Sequence, residues 1–409
     1  MVKKIRTPTS CIFTILATLV IAAGCKSVVE RQDVRPRVLR DVPSQNLAYR
    51  LTPDTTPPTT TIEADDLLEK VEAIATEFST KRTDDALLRT VKSPDGRRVL
   101  AVYAAADEPG AAFRIDLYNA EGQFLRNVIP PDLSCYFPET VSWSPDGNFI
   151  NFIARKRAAA NPTPTPPPDV LPDPSLSPLP SPSVAPVFAP VASFSTEQIY
   201  ISNRDGYDLK PLTAREGLIY FYFAWAPDGH ALVALACKEE EWTERERQSR
   251  TPAGRPRLIM LDGSERLLDD GLTEALPVWS SDASKVATAF NTDVAIYDTG
   301  SNKPTQARIA LRDQLISASI AYDEAAARKA APSPSGSPQS QGASATASPA
   351  PSPASTREPA SFNPIIRLEW PSPERLYFQT AYVRLRPIEA FTFPRWHLLS
   401  LSAQAAILK

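Results

Sequence analysis

Short apolar runs separated by turn residues recur through most of the chain. Five of them are six residues long: 98–103, 149–154, 231–236, 285–290 and 375–380. Runs of this length, bounded by Pro, Asp, Asn and Gly, are typical of β-strands. Further apolar runs and Gly-containing turns follow most of them, so the pattern predicts antiparallel strands joined by tight turns.

A common motif precedes each run. Copies stand at 92–96, 143–147 and 225–229, a degraded copy at 279–283, and a last copy at 370–374 that keeps only the tryptophan. Pro sets φ for a turn, Asp accepts hydrogen bonds from its own backbone, and Gly takes positive φ. The tryptophan is predicted to fill the seam between neighbouring sheets. The motif residues are Pro94, Asp95, Gly96, Trp143, Pro145, Asp146, Gly147, Trp225, Pro227, Asp228, Gly229, Trp279 and Trp370.

The motif defines an internal repeat. Consecutive copies are 51, 82, 54 and 91 residues apart, and the two long intervals contain proline-rich windows at 162–190 and 332–359. Without these windows the intervals are about fifty to sixty residues. A period of this size with turn-punctuated strands is typical of β-propeller blades, which must stack because one sheet cannot bury both of its faces. We therefore predict an all-β fold, a β-propeller of four-stranded blades.

The Trp-x-Pro-Asp-Gly element with its following apolar strand resembles the TolB-like, WD40-like family of bacterial β-propellers. The resemblance covers about residues 85–409 without the insertions. It implies a ring of six or so blades, used mostly for protein contacts in the cell envelope. The family also includes propellers fused to peptidase domains, so the resemblance does not fix a function.

The number of blades is left open by the sequence, which shows five anchors. A sixth blade could be built partly from residues 30–90 by strand donation, or the ring has five blades. A helix is predicted over 65–78 because apolar residues recur there every three or four positions. Its stripe either packs on the propeller or docks a partner. The stripe residues are Leu67, Val71, Ile74, Ala75 and Phe78.

The N-terminus has the pattern of a bacterial lipoprotein signal peptide. A basic start is followed by an apolar run at 12–23, and small residues precede Cys25. We predict cleavage between Gly24 and Cys25 and lipidation of the Cys25 thiol, with palmitate among the acyl chains. The alternative is a retained membrane span, but the apolar run is shorter than the roughly 20 residues that a span needs.

The pattern divides the chain into four segments. We expect a signal peptide at 1–24, a lipidated flexible tether at 25–62, the amphipathic helix with its lead-in at 63–84, and the propeller at 85–409. Low-complexity insertions are expected at 158–192 and 328–361, because their composition cannot bury enough apolar surface to order them.

Charge and motif content exclude several classes of function. The chain after residue 24 has a net charge of about −6, which gives no electrostatic footprint for nucleic acid. We find no hydrolase elbow, phosphate loop or dinucleotide fingerprint, and we predict no cofactor. His230 is expected in an exposed loop and His397 in a strand, and their separation gives no metal-ligand spacing. No catalytic residue and no metal site are predicted.

Two further features leave alternatives open. The motif aspartates could form a ring of carboxylates, but turn chemistry already accounts for them. Cys135 and Cys237 could pair, although a chain of this length does not need a disulfide.

The function expected from these features is that of an envelope lipoprotein. Its propeller would act as a non-catalytic scaffold for an envelope protein partner, anchored by lipid in the outer membrane if the cell has one, since Lys26 replaces the Asp of inner-membrane retention. The alternative is a hydrolase or lyase acting on an extracytoplasmic substrate in the central channel. No small-molecule ligand is indicated.

Overall fold

A computed structural model describes residues 38–59, 70–107, 112–156, 196–300, 303–330, 363–381 and 394–403. They belong to one compact unit, Val38–Lys409. The predicted cleavage and lipidation residues, Gly24 and Cys25, lie outside the described residues. No helix among the residues described has the length and apolar content to cross a membrane.

The elements of secondary structure are numbered here in chain order. The strands are β1 Leu47–Thr52, β2 Asp85–Lys92, β3 Arg98–Ala105, β4 Arg114–Asn119, β5 Phe124–Asn127, β6 Leu133–Ser134, β7 Ser142–Trp143, β8 Phe149–Lys156, β9 Gln198–Asn203, β10 Lys210–Pro211, β11 Leu218–Trp225, β12 Ala231–Lys238, β13 Arg255–Met260, β14 Glu265–Leu267, β15 Val278–Trp279, β16 Lys285–Phe290, β17 Asp293–Asp298, β18 Gln306–Ala310, β19 Ile365–Ser372, β20 Arg375–Thr380 and β21 Arg395–Ala403. The helices are α1 Glu72–Lys81, α2 Glu239–Arg247 and α3 Arg312–Ala330.

These strands form five antiparallel sheets, one for each motif copy, and the fold is an all-β propeller. Blade 1 contains β2–β5, blade 3 contains β11–β14 and blade 4 contains β15–β18. In blade 2 the innermost position is shared by two short strands, β6 and β7, which both pair with β8. Five sheets are described, so the five-blade alternative fits the structure.

Blade 5 contains β19, β20 and β21 and takes its outermost strand from the N-terminal part of the chain. Strand β1 pairs antiparallel with β21, from Leu47 opposite Ala403 to Thr52 opposite Leu398. Strand donation from within residues 30–90 therefore occurs, but it completes the fifth blade instead of building a sixth. The edge of β21 gains a partner, which removes an exposed ladder of backbone groups.

The N-terminal segment corrects one sequence-based expectation. Residues 38–52 lie inside the predicted tether 25–62, yet they are part of the folded unit. Short 3-10 helices at Leu39–Asp41 and Ser44–Asn46 precede β1, and Leu39, Val42 and Ser44 are buried. Any flexible tether that follows Cys25 therefore ends before Val38.

Hydrophobic clusters fill the seams between consecutive blades. Separate clusters join blades 1 and 2, blades 2 and 3, and blades 3 and 4, and a larger one joins blades 4 and 5. Consecutive sheets thus bury faces that neither could bury alone.

Helix α1 covers the other face of blade 1. Its Ile74 and Phe78 are buried against Val99, Ala101 and Tyr118. The helix begins at Glu72, not at residue 65, and residues 60–69 lie outside the described part of the chain. Ile74 and Phe78 of the stripe therefore pack on the propeller, and the docking-helix alternative does not apply to them.

The predicted insertions fall mostly outside the described residues. The second was expected to begin at residue 328, but α3 continues to Ala330. This helix follows β18, and Leu311 just before it and Leu315 in its first turn are buried against blades 4 and 5. Its first turns are therefore anchored by apolar packing that the proline-rich composition of the following window does not reveal.

Candidate functional site

The blades give the ring two different faces. Each innermost strand runs into a motif turn, so the motif turns gather on one side, which we call the turn face. The second strand of each blade then runs back to the opposite side, the loop face. The loop face carries the end of β8 at Lys156, helix α2 and the start of α3 at Arg312.

The motif aspartates are used inside their own turns. Asp95 accepts hydrogen bonds from the Ser93 hydroxyl at 2.6 Å and from the Arg97 backbone at 3.1 Å. Asp146 and Asp282 accept equivalent bonds from Ser144 and Ser280. Hydroxyl donors of this kind lower the pKa of these carboxyl groups. Hydrogen bonds within the turns therefore account for the carboxylates of Asp95, Asp146 and Asp282.

The turns of neighbouring blades touch on the turn face. Gly147 is so placed that a Cβ atom there would lie 3.4 Å from Cδ of Pro94, and one on Gly229 would lie 3.8 Å from Cγ of Asp146. In the fourth copy Ala283 replaces the glycine and still has a φ of 59°. The motif residues therefore pack the turn face of blades 1 to 3.

The motif tryptophans lie at the seams, but they differ in hydrogen bonding. Trp143 Nε1 donates to the Val91 carbonyl of blade 1, and Trp279 Nε1 donates to the Ala224 carbonyl of blade 3, each at 3.0 Å. Trp225 Nε1 is buried with no hydrogen-bond partner among the residues described. Trp370 Nε1 instead donates to Pro373 within its own hairpin.

A buried polar cluster attaches the N-terminal segment to blade 4. Lys285 Nζ lies 2.6 Å from Asp298 Oδ1 and donates to the Val42 carbonyl at 2.7 Å. Ser44 donates to the same carboxylate through both its backbone N–H and its hydroxyl, and Thr305 adds another hydroxyl bond. Burial alone would raise the pKa of Asp298, but Lys285 and these donors hold it at about 2. We call these residues the N-terminal latch.

A cleft of about 490 Å³ opens on the turn face beside the latch. Arg40 and Pro43 from the N-terminal segment line one side, and Asp228, His230 and Trp279 line the other. His230 is exposed, as predicted for a loop residue. The cleft is lined by the exposed side chain of His230 and by Asp228, whose carboxylate accepts from the His230 backbone N–H at 3.1 Å.

The second histidine has a structural position. His397 is a strand residue, as expected, and is 1% exposed. Its Nε2 lies 2.9 Å from the Thr380 hydroxyl, and its Nδ1 accepts from the Asp54 backbone. Burial, reinforced by the nearby charge of Arg395, lowers the pKa of His397 to about 4. This histidine is therefore neutral at pH 7 and is built into blade 5.

Exposed large apolar side chains lie on both faces, for example Tyr207 and Met260 on the turn face. On the loop face, Leu272 and Leu276 lie in the connection between blades 3 and 4, and Ile320 and Tyr322 lie on α3; Tyr136 lies between β6 and β7 of blade 2. Near them Trp242 of α2 packs between the rings of Phe137 and Phe221, at 5.7 and 5.5 Å. Trp242 therefore packs onto its own molecule.

The two remaining cysteines are free and buried in different blades. The backbone of Cys135 forms an isolated β-bridge with Phe113, next to β4 of blade 1. Cys237 lies at the end of β12 in blade 3. Burial raises the pKa of both thiols, that of Cys237 to about 12. The disulfide alternative does not apply to this structure.

Sequence reasoning missed the latch and a second polar cluster beneath α1. Arg82 contacts Asp116 at 2.8 Å and lies 4.2 Å from the ring centres of Phe78 and Tyr103. Arg82 and Asp116 are 34 positions apart and belong to no motif. Within the described ranges, no group of three or more His, Cys, Asp and Glu residues could hold a metal ion.

Comparisons with known proteins give a fold-level likeness only. No family model and no curated protein matches the chain. Similar solved structures include an oligogalacturonate lyase in complex with manganese, with 9% identity, a TM-score of 0.36, and coverage of 75% of this chain and 63% of that one. A structure described as "putative TolB" from Agrobacterium tumefaciens has 17% identity, a TM-score of 0.29, and coverage of 53% and 63%.

A third similar structure is prolyl oligopeptidase B from Galerina marginata, bound to a 25mer macrocyclization substrate. It has 9% identity and a TM-score of 0.41, and the match covers 80% of this chain and 36% of that one. The chain thus spans less than two thirds of the length of each of these proteins. Likeness of this size does not distinguish a binding propeller from a catalytic one.

Proposed function

We propose that the protein is a lipid-anchored β-propeller of the TolB-like kind that binds another envelope protein and catalyses no reaction. The anchor would be Cys25 after cleavage at Gly24, in the outer membrane if the cell has one. The observation that carries the non-catalytic proposal is the use of polar side chains as structural elements. Three motif aspartates accept hydroxyl bonds within their own turns, and His397 is buried in a strand.

The position of the exposed apolar residues supports a binding role. Leu276 is 45% exposed and Leu272 is 37% exposed, in the same connection on the loop face. Neighbouring exposed apolar side chains of this kind are candidates for a contact with another protein. We therefore place the envelope protein partner on the loop face.

The test is crosslinking in intact envelopes followed by affinity capture, with Leu276→Asp and Met260→Asp as a matched pair. Met260 is 39% exposed but ends β13 on the turn face. A specific protein captured with the native chain and with Met260→Asp, but lost with Leu276→Asp, supports the proposal. Equal capture by both variants places the partner elsewhere, and capture of no specific protein contradicts a scaffold role.

Anchoring is tested separately by metabolic labelling with palmitate. We expect label in the native protein and none in Cys25→Ser, which should be released from the membrane fraction. A mature protein without lipid at residue 25 would contradict the anchor without bearing on the partner.

The cleft on the turn face favours one second candidate, a hydrolase or lyase. The exposed side chain of His230 lines this cleft, and an exposed imidazole can act as a general base. Turnover of an extracytoplasmic polymer by the purified protein, lost in His230→Gln and retained in Glu216→Gln, would favour the enzyme over the scaffold.

A further inference from the structure

We infer that the anchored ring stands over the bilayer with its turn face toward the lipid and its loop face away from it. The inference rests on the proposed lipid anchor at Cys25. It follows from the point at which the chain enters the ring and from the short length of chain before that point.

The N-terminal segment enters on the turn face. In the pairing of β1 with β21, Leu47 lies opposite Ala403, at the C-terminal end of β21. Near the same end, Ser400 of β21 pairs with Arg375, the first residue of β20. Arg375 directly follows the last motif copy, so this end of blade 5 is the turn face. Residues 38–46 therefore approach the ring from the side of the motif turns.

The latch fixes this entry point. Ser44 is fully buried, and its hydroxyl oxygen lies 2.6 Å from Asp298 Oδ1 at the turn-face end of β17. The Val42 carbonyl accepts from Lys285, which begins β16 on the same face. Because both contacts are buried, the chain has no slack between Val42 and β1.

The connection to the anchor is short. Twelve residues, 26–37, separate Cys25 from Val38. A flexible chain of that length has an r.m.s. span of about 20 Å, and its full extension is about 40 Å. An eight-residue inner strand such as β2 is about 26 Å long. Presenting the loop face to the lipid would require the tether to run past the whole height of the ring.

The charge of the turn face does not bind the propeller to the lipid surface. The turns bring several exposed acidic side chains to the turn face, including Asp95, Asp146, Asp228 and Asp262. The same face carries the exposed bases Arg40, Arg97 and Arg375, so its charge is mixed and not polybasic. The tether is therefore the link that sets the orientation, and the ring stays close to the bilayer without adhering to it.

The test uses energy transfer from a single fluorophore to labelled lipid. The full-length lipidated protein is placed in vesicles of phosphatidylethanolamine and phosphatidylglycerol that contain rhodamine-labelled lipid. Probes are attached at Arg97→Cys on the turn face or at Asp84→Cys on the loop face, at the two ends of β2. Both positions are exposed, and the native Cys135 and Cys237 are buried.

We expect transfer from residue 97 to be about twofold higher than from residue 84, because the probes differ in height by about 26 Å. A flexible Gly/Ser insert after Lys26 should reduce this difference, whereas added salt should not. Equal transfer, or more from residue 84, in protein whose lipid is confirmed by mass spectrometry would overturn the orientation and leave the anchor intact. Protein without lipid would contradict the proposed function itself.

Discussion

The ammonium group of Lys285 lies 2.6 Å from the carboxylate of Asp298, and the N-terminal segment is bound to this buried pair through Ser44 and the Val42 carbonyl. Lys285 is 3% exposed. The pair joins residues near the start of the chain to blade 4 before β1 completes blade 5. Completion of blade 5 and attachment of the N-terminal segment to blade 4 thus depend on the same stretch of chain.

Asp298→Asn should strongly destabilise the protein. It leaves the Lys285 charge buried without its counter-ion, and breaking such a pair costs about 3–5 kcal/mol. The free energy of unfolding in urea measures the change. Asp95→Asn, at an exposed carboxylate in the first motif turn, should change it by less than about 0.5 kcal/mol. Equal losses of unfolding free energy in the two variants would contradict a stabilising role for the buried Lys285–Asp298 pair.

His397 should make stability depend on pH between about 6.5 and 4. Its pKa is about 4 in the folded protein, against about 6.5 in an unfolded chain. The unfolded state therefore binds more protons in this range, so stability is fully present above pH 6.5 and falls as the pH is lowered to 4. The loss should be about 3 kcal/mol at most.

Unfolding free energies measured at pH 7 and pH 4.5 test this dependence. His397→Gln should lose a large part of the decrease, because the titrating group is gone. His230→Gln should keep it, because His230 is exposed. Loss of the same amount in both variants would assign the pH effect to other groups, such as the acidic side chains.

Ala283→Gly should stabilise the protein. Ala283 has a φ of 59°, a conformation that costs an L-residue about 1–2 kcal/mol. Glycine also raises the conformational entropy of the unfolded chain, which lowers the free energy of unfolding by about 0.4–1 kcal/mol. The expected net increase in the free energy of unfolding is about 0.5–1 kcal/mol. The reverse change, Gly147→Ala at a φ of 71°, should destabilise, and thermal unfolding of both variants measures the difference.

The seam tryptophans should differ in their response to loss of the indole N–H. Trp143→Phe removes the bond to the Val91 carbonyl, whereas Trp225→Phe removes a buried N–H that has no hydrogen-bond partner among the described residues. Losing a made hydrogen bond costs about 1 kcal/mol, and removing an unmade one relieves a desolvation penalty. Trp143→Phe should therefore be the more destabilising change in urea unfolding, and the opposite order would contradict the assignment.

The two buried thiols should be unreactive in the folded protein. Burial raises the pKa of Cys135 and of Cys237, and the thiolate is the reactive form. We expect a thiol reagent at pH 8 to modify neither residue under native conditions and both in urea. Rapid labelling of the native protein, or recovery of a Cys135–Cys237 disulfide from oxidising medium, would contradict the buried free thiols.

The sequence by itself determined the local structure of the repeat. Pro, Asp and Gly specify a tight turn by their own backbone preferences. The apolar strand after each turn has side-chain faces that must be buried. These are short-range properties, so the Asp95 and Asp146 turns and the seam position of Trp143 could be predicted from a few neighbouring residues.

Tertiary structure alone decided how blade 5 is completed. The pairing of β1 with β21 joins residues about 350 positions apart, and Ser44 meets Asp298 across 254 positions. Residues 38–52 have weak periodicity, so the sequence predicts a tether there. They become ordered because the open edge of blade 5 needs a strand and because the buried charges of Lys285 and Asp298 need partners.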